Sequence, residues 1–202
     1  MIRYFKKAIP LSIIATGIMA SASFADTFTL RVGSGHPSKP TAYVTNMEKV
    51  LVPNIKKRVA AETNHKVRII EAYAGKIAKV HETLEAVEKG LLDIGSYCVC
   101  FETAKLLPWN FDYFVPFTTT NLETNWAVKH KILKQFPYLT KMLEDKYNQK
   151  FIAMQGFDDY GLGTVKQWQK ASELKGVKVI AAGPNLPWVS VFGAIPVTST
   201  LP

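Results

Sequence analysis

The sequence has few of the motifs that mark an enzyme. It lacks a Gly-x-Ser-x-Gly nucleophile turn, a His-Glu-x-x-His zinc motif and a glycine-rich phosphate loop ending in Lys-Ser or Lys-Thr. Gly33-Ser34-Gly35 follows a predicted strand but is not followed by the third glycine of a dinucleotide-binding turn. We therefore expect no nucleotide and no other cofactor.

Acidic residues are fewer than basic ones, 16 against 25, which gives a net charge of +9. The basic residues are nevertheless scattered among acidic ones, as where Glu62 follows Lys56-Lys57-Arg58. No basic run alternates with aromatic residues, the pattern that would favour a nucleic-acid surface. We expect no binding to nucleic acid.

Long apolar runs are also scarce, and the one clear example is at the N-terminus. Arg3, Lys6 and Lys7 precede an uncharged stretch from Ala8 to Ala25 that ends in small residues. This order is typical of a secretory signal peptide, so we predict that residues 1–25 direct export to the periplasm. The apolar core, about 13 residues, is shorter than the ~20 of a spanning helix, so stable membrane insertion is not expected. An uncleaved N-terminal helix is the alternative.

Cysteine is limited to Cys98 and Cys100. If this segment is extended, the two residues lie about 6.6 Å apart along the strand, given a rise of ~3.3 Å per residue. A disulfide brings Cβ atoms to ~3.8 Å, so we expect two buried thiols ahead of a strained bridge. A metal pair is less favoured still, because no Cys-x-x-Cys motif or nearby pair of histidines accompanies them.

The first half of the chain alternates strand and helix patterns. Strands are predicted at 27–33, 66–72 and 92–98, and helices at 41–63, interrupted by Pro53, and at 80–89, ended by Gly90. This βαβ order predicts an α/β fold with a parallel sheet and right-handed crossovers.

The second half begins after an irregular aromatic stretch at 108–117. Helices are predicted at 122–135 and 138–147, a short helix near 169–174 and another from 183, and strands at 150–157, 162–166, 177–181 and 194–197. The economical division is into two α/β lobes, residues 26–118 and 119–202.

Polar and aromatic residues follow the predicted strands, where open α/β sheets bind ligands. The candidate contacts for a small organic solute are His36, Tyr97, Asp158, Tyr160, Asn185 and Trp188. Loops that face each other across two lobes form a cleft, which favours a binding protein over a catalyst. Alternatively, some of these aromatic residues only pack inside a lobe.

Two other classes of protein remain open. A periplasmic enzyme could use Cys98 or the Asp158/Asp159 pair, although a turn is the favoured role for those neighbouring aspartates. An adhesin or other interaction module is also compatible with an exported α/β chain, and it predicts no stabilisation by small molecules.

Three segments resemble the extracytoplasmic solute receptors of TRAP transporters. They are AVEKGLLDIG at 86–95, ELKGVKV at 173–179 and FGAIPV at 192–197. The resemblance implies a two-lobed periplasmic-binding-protein-like fold (type II). It also implies that a small organic solute is captured between the lobes and delivered to TRAP transporter membrane subunits, driven by an ion gradient. The receptor of an ABC importer is the nearest alternative.

The resemblance breaks at two places. Many members of the family have a substrate-binding arginine where this chain has Ile180, and an isoleucine cannot pair with a carboxylate. We therefore expect a less charged or aromatic-compatible solute rather than a dicarboxylate, unless another cation takes the place of that arginine. Backbone N–H groups after Gly183, or the side chain of Asn185, are the alternative polar contacts. The family also continues beyond the position of Pro202, so we expect a fold that is incomplete at its C-terminus and has an unpaired sheet edge.

Overall fold

The computed structural model describes residues 25–115, 118–157 and 160–199. Its strands are β1 (Thr27–Gly33), β2 (Lys66–Ala72), β3 (Ile94–Gly95), β4 (Lys178–Ala181) and β5 (Ile195–Thr198). Its α-helices are α1 (Ala42–Asn46), α2 (Val52–Glu62), α3 (Thr83–Glu88), α4 (Leu122–Gln135), α5 (Tyr138–Tyr147) and α6 (Leu186–Val191). The predicted signal peptide falls almost entirely on residues 1–24, outside the described residues.

The first sheet is parallel and has the strand order β2-β1-β3. β1 pairs with β2 along its whole length, from Thr27 opposite Lys66 to Gly33 opposite Ala72. β3 pairs with the end of β1, with Gly95 opposite Gly33. The predicted βαβ arrangement is therefore confirmed.

β3 is much shorter than the strand predicted at 92–98. The Ser96 N–H still donates to the Gly33 carbonyl, but β1 ends at Gly33 and offers no further partner. The chain then turns into a 3₁₀ helix at Val99–Glu102. The predicted strand was too long because its neighbour ends first.

The first helical region runs without a break from α1 to α2 through a π-helical segment, Met47–Leu51. The Val52 N–H donates to the Met47 carbonyl, five residues back, and Pro53 occupies the first turn of α2. Proline has no N–H to donate, so a change of helical register just before it costs no further hydrogen bond. The interruption predicted at Pro53 is thus a π-helical change of register and not a break in the helix.

Helices with a strong local pattern lie where they were predicted. α4 and α5 have the predicted bounds, and Gly90, with a φ of 67°, follows the end of α3 as expected. The aromatic stretch contains a 3₁₀ helix, Leu107–Phe114. Helix 80–89 begins as a 3₁₀ turn at Val80–Glu82 before continuing as α3.

The strands predicted at 150–157 and 162–166 are absent. Neither segment forms a backbone hydrogen-bond ladder with any other part of the described chain. A strand exists only with a partner, so a β-like composition alone did not produce one here.

The second sheet consists of β4 and β5, which run parallel with Lys178 opposite Ile195. α6 forms the crossover between them, preceded by a 3₁₀ turn at Gly183–Asn185. Leu174, Val179 and Ala194 form the small core beneath this unit.

One buried cluster joins segments from both sides of residue 118. Leu84 and Leu106 pack with Leu133 of α4 and with Leu139 and Leu143 of α5. The two sheets are separate in hydrogen bonding, whereas α4 and α5 pack with α3 and with the chain that follows β3. The lobe boundary at 118 stays a prediction.

No helix within the described ranges has the length and apolar character needed to cross a lipid bilayer.

Leu84→Ala should destabilise the fold strongly. Leu84 is fully buried in the cluster with Leu106 and Leu139, whereas the nearby Leu91 is 52% exposed. We expect the free energy of unfolding to fall by about 2–5 kcal/mol for Leu84→Ala, because a cavity replaces packed side-chain atoms. For the control Leu91→Ala we expect less than about 1 kcal/mol. Urea denaturation measures both, and equal losses would contradict the packing described.

Candidate functional site

The ends of the strands and the turns that follow them meet around residues 98–102. His36 follows β1, Tyr97 follows β3, and the turn at Gly183–Asn185 follows β4. This is the edge of the two sheets where the sequence predicted a solute site.

His36 is a buried residue, 3% exposed, behind this edge. Its Nδ1 shares a short hydrogen bond with the hydroxyl of Tyr43, and its ring lies 5.3 Å from that of Phe101. Burial, and then the nearby charge of His81, lower the pKa of the His36 imidazole. His36 is therefore predominantly neutral at pH 7, and its ring contacts Tyr43 and Phe101.

Tyr97 is tied to the helical side of the molecule. Its hydroxyl donates to Gln149 Oε1 at 3.0 Å, and Gln149 Nε2 donates to the Leu84 carbonyl at 2.8 Å. Burial raises the pKa of the Tyr97 hydroxyl, which keeps it protonated as a donor. Tyr97 lies apart from the predicted contacts on the second sheet.

Cys98 and Cys100 form a disulfide, so the prediction of two free thiols was wrong. The prediction assumed an extended chain, but a 3₁₀ helix starts right after Cys98 and brings the two Cα atoms to 5.2 Å. With its sulfur in a disulfide, Cys98 has no thiol to act as a nucleophile. The enzyme alternative based on Cys98 therefore has no support in this structure.

Tyr113 contacts residues from three other segments of the chain. Its hydroxyl lies 2.9 Å from the hydroxyl of Tyr160 and 3.9 Å from Cys98 Sγ. Its backbone carbonyl accepts a hydrogen bond from Trp188 Nε1 at 3.0 Å. Burial, and then the neighbouring Tyr160, raise the pKa of the Tyr113 hydroxyl, so it stays protonated. Sequence reasoning missed Tyr113, and its place in the aromatic stretch 108–117 was the available signal.

Two cavities flank Tyr113. The first, about 1770 Å³, is an open groove between the first helical region, the chain after β3 and residues 148–157, and Tyr97 and Tyr113 line it. The second, about 460 Å³, lies against the second sheet and is lined by Tyr160, Asn185 and Trp188.

The structure therefore brings three of the six candidate residues together. Tyr160, Asn185 and Trp188 share the second cavity, Tyr97 lines the first, and His36 lines neither. Asp158, like Asp159, lies outside the described residues.

Gly183 makes the closest backbone approach between the second sheet and the 98–102 turn. Its φ is 47°, in the left-handed region, and a Cβ atom there would lie 2.1 Å from the Cys100 carbonyl oxygen. Only glycine fits this position without a shift of the backbone.

One buried charged group at the first cavity has an opposite charge beside it. Lys129, which lines the first cavity, is buried and forms an ion pair with Asp112. Within residues 25–115, 118–157 and 160–199, no group of three or more His, Cys, Asp or Glu side chains is arranged to hold a metal ion.

No protein-family model matches the chain, and no curated protein matches it. Solved structures do. A TRAP periplasmic solute-binding protein from Desulfovibrio salexigens has a TM-score of 0.66 and 20% identity, with 86% of this chain and 51% of that chain covered. A Bordetella pertussis extracytoplasmic solute receptor that binds pyroglutamic acid has a TM-score of 0.66 and 20% identity, with coverage of 85% and 54%.

A third similar structure is a TRAP solute-binding protein from Rhodoferax ferrireducens with copurified benzoate, with a TM-score of 0.62 and 17% identity. The match covers 86% of this chain and 52% of the Rhodoferax ferrireducens chain. The chain thus has the fold of TRAP periplasmic solute-binding proteins and spans about half their length. The predicted fold class is confirmed.

Gly183→Ala should destabilise the protein more than alanine substitutions at Gly161 and Gly176. Gly176 also has a positive φ, but no atom lies within 4 Å of the place that a Cβ atom would occupy there, and Gly161 has neither constraint. We expect Gly161→Ala to change stability by less than about 0.5 kcal/mol. Gly176→Ala should cost about 1 kcal/mol, and Gly183→Ala should cost clearly more than Gly176→Ala. Thermal unfolding of the three variants tests this order, and a Gly183→Ala variant as stable as Gly176→Ala would contradict the close approach.

Stability should fall as the pH is lowered from 7 towards 5, partly because of His36. Its folded-state pKa lies below the ordinary value of 6.5. The unfolded chain therefore binds a proton first, and stability is lost as the pH falls through 6.5 towards the folded value. We expect His36→Gln to flatten this part of the curve in urea titrations at several pH values. An unchanged slope in the variant would show that His36 is not the responsible group.

Proposed function

We propose that the chain is the solute-capturing part of a TRAP-type extracytoplasmic receptor, which holds a small organic solute without altering it. The observation that carries this proposal is that Tyr113 contacts both Tyr160 and Trp188, and that these three residues line two cavities. Asn185 of the second cavity follows β4, and ligands in an α/β fold bind beyond the carboxyl ends of strands. The fold shared with TRAP solute-binding proteins supports the same conclusion.

Tyr160, Asn185 and Trp188 are the proposed contacts on the second sheet. Tyr160 is held by Tyr113 and Trp188 by the carbonyl of Tyr113, so both aromatic side chains are oriented before a solute arrives. Such pre-orientation reduces the entropy lost on binding.

His36 and Tyr97 have supporting roles in this proposal. His36 positions Tyr43, which lines the first cavity, and Tyr97 borders the same cavity from the chain after β3. Asp158, two residues before Tyr160 in the sequence, stays a predicted contact.

Binding rather than catalysis suits these groups. Phenol hydroxyls with raised pKa values are hydrogen-bond donors at neutral pH and poor bases or nucleophiles. We propose that the solute is released chemically unchanged, after one sheet unit has moved against the other about the contact between Gly183 and Cys100.

The proposal extends to location and partners. Residues 1–25 direct export to the periplasm, and the loaded receptor delivers its solute to TRAP transporter membrane subunits. Export is tested by the N-terminal sequence of the secreted product, which should begin near Asp26.

Small organic solutes should stabilise the protein, and the stabilisation should depend on the second cavity. In a thermal-shift screen of organic acids, amides and polyols, Trp188→Ala and Asn185→Ala should each weaken binding of the best solute by about tenfold or more, roughly 1.4 kcal/mol. Trp168→Ala is the matched control, because Trp168 lines neither cavity.

Three results would count against the proposal. The first is that no solute in the screen stabilises the protein. The second is that the control variant loses as much affinity as Trp188→Ala, and the third is that chromatography shows conversion of the bound solute.

A further inference from the structure

We propose that the Cys98–Cys100 disulfide is a site of reversible exchange with a thiol reductant, which attacks Cys98, and that cleavage of the disulfide loosens the second sheet unit from the first. Three features of the structure carry this inference. They are the size of the loop that the disulfide closes, the surroundings of its sulfur atoms, and its place between the two cavities.

The disulfide closes a very short loop, because Val99 alone separates the two cysteines. The entropy that a disulfide removes from the unfolded chain grows with the length of the loop it closes, so a loop this short adds little to global stability. We therefore expect the fold to survive reduction of this disulfide. Its effect is on the local structure of the turn.

The two sulfur atoms differ in access. Cys98 is half-buried and lines the open first cavity, whereas Cys100 is 2% exposed. Thiol–disulfide exchange requires the attacking thiolate to contact one of the sulfur atoms, so access decides which of them reacts. A small thiol that enters the first cavity therefore meets Cys98.

The Cys98 sulfur also has two hydrogen-bond donors beside it. The Cys100 N–H donates to Cys98 Sγ at 3.3 Å, and the hydroxyl of Tyr113 lies 3.9 Å from the same atom. A disulfide sulfur carries no proton, so the hydroxyl is the donor in the second contact. Both donors stabilise a thiolate more than a disulfide sulfur, because a hydrogen bond to a charged acceptor is the stronger one. These surroundings favour the reduced form of Cys98.

With a dithiol as the reductant, the exchange takes two steps. First, a thiolate of the dithiol attacks Cys98 Sγ, the S–S bond breaks, and its electron pair leaves on the Cys100 sulfur, which takes a proton from solvent. Then the second thiolate of the dithiol attacks the dithiol's own sulfur in the mixed disulfide and releases Cys98 as a thiolate. The dithiol becomes a disulfide, and the two electrons that it loses are gained by the two cysteines.

Cleavage acts on the contact between the two sheet units. Cys98 lines the first cavity and Cys100 lines the second, and the Cys100 carbonyl faces Gly183 in the turn after β4. That carbonyl is held by the closed disulfide turn and by the hydroxyl of Thr103. Without the disulfide, the turn regains freedom about its backbone torsions, so the close contact with Gly183 weakens.

The attacked sulfur is tested with two single-cysteine variants. Cys100→Ser keeps the thiol of Cys98, and Cys98→Ser keeps the thiol of Cys100. We expect glutathione disulfide to modify Cys98 at least about tenfold faster than Cys100, because the Cys100 side chain is buried. Intact mass spectrometry measures both rates.

The hydroxyl of Tyr113 is tested in the same Cys100→Ser chain. Tyr113→Phe should slow the modification of Cys98 by about threefold or more, because it removes one of the two donors to the sulfur. Tyr138→Phe is the matched control, since Tyr138 is 55% exposed on α5, and it should leave the rate unchanged.

The loosening is tested by hydrogen exchange of the wild-type chain, before and after reduction by dithiothreitol without denaturant. We expect the amides of residues 98–103 and 183–185 to exchange at least about tenfold faster in the reduced protein, because local opening sets their exchange rate. α5 is the internal control and should be unchanged. The melting temperature should fall by only about 3–6 °C.

Any of four results overturns the inference. They are a purified chain with two free thiols, a disulfide that dithiothreitol leaves intact without denaturant, modification of Cys100 as fast as that of Cys98, and unchanged exchange at residues 183–185 after reduction. None of these measurements uses a solute. Their failure therefore leaves the proposed function standing, and a failed solute screen leaves this inference standing.

Discussion

The site depends on the position of one side chain, Tyr113. Its hydroxyl contacts the hydroxyl of Tyr160 and Cys98 Sγ of the disulfide, and its backbone carbonyl accepts a hydrogen bond from Trp188 Nε1. Tyr113 belongs to an irregular 3₁₀ segment that has no strand or α-helix to hold it. Its neighbours hold it instead. Asn110, fully buried, donates to the carbonyls of Val99 and Leu106, and a tryptophan one residue earlier donates to the carbonyl of Leu139. The aromatic contacts of the site thus depend on buried hydrogen bonds behind it.

A second constraint is the close backbone contact between the two sheet units. The disulfide closes a tight turn at Cys98–Cys100, and the Cys100 carbonyl faces Gly183 at a distance that excludes a side chain. The same turn carries Thr103, whose hydroxyl donates to the Cys100 carbonyl at 2.9 Å. Because backbone meets backbone here, a side chain larger than that of glycine at residue 183 would force the two segments apart.

The sequence predicted those parts of the fold that local patterns determine. α4 and α5 were predicted with their observed bounds because their apolar periodicity is contained within each helix. Segment 150–157 has the composition of a strand but no partner, and no local pattern reports on a partner. The disulfide was missed for a related reason, since the turn after Ser96 depends on where β1 ends. Among the candidate residues, Tyr160 and Trp188 were predicted from their place after predicted strands, although the strand before Tyr160 does not form. Tyr113 was missed, because long-range contacts position it.

The choice of solute is a separate question from the fold, because it depends on the chemistry of the cavity walls and not on the course of the backbone. At 17–20% identity, the matched structures share the course of the backbone with this chain but few of its side chains. A backbone of this kind brings loops together and creates a cavity, but it does not set the charge within it. That charge is set by individual positions on the wall, because a guanidinium adds a charge that an aliphatic side chain does not. A single exposed residue can therefore alter the chemistry of a cavity without altering the fold, because nothing in the core depends on it.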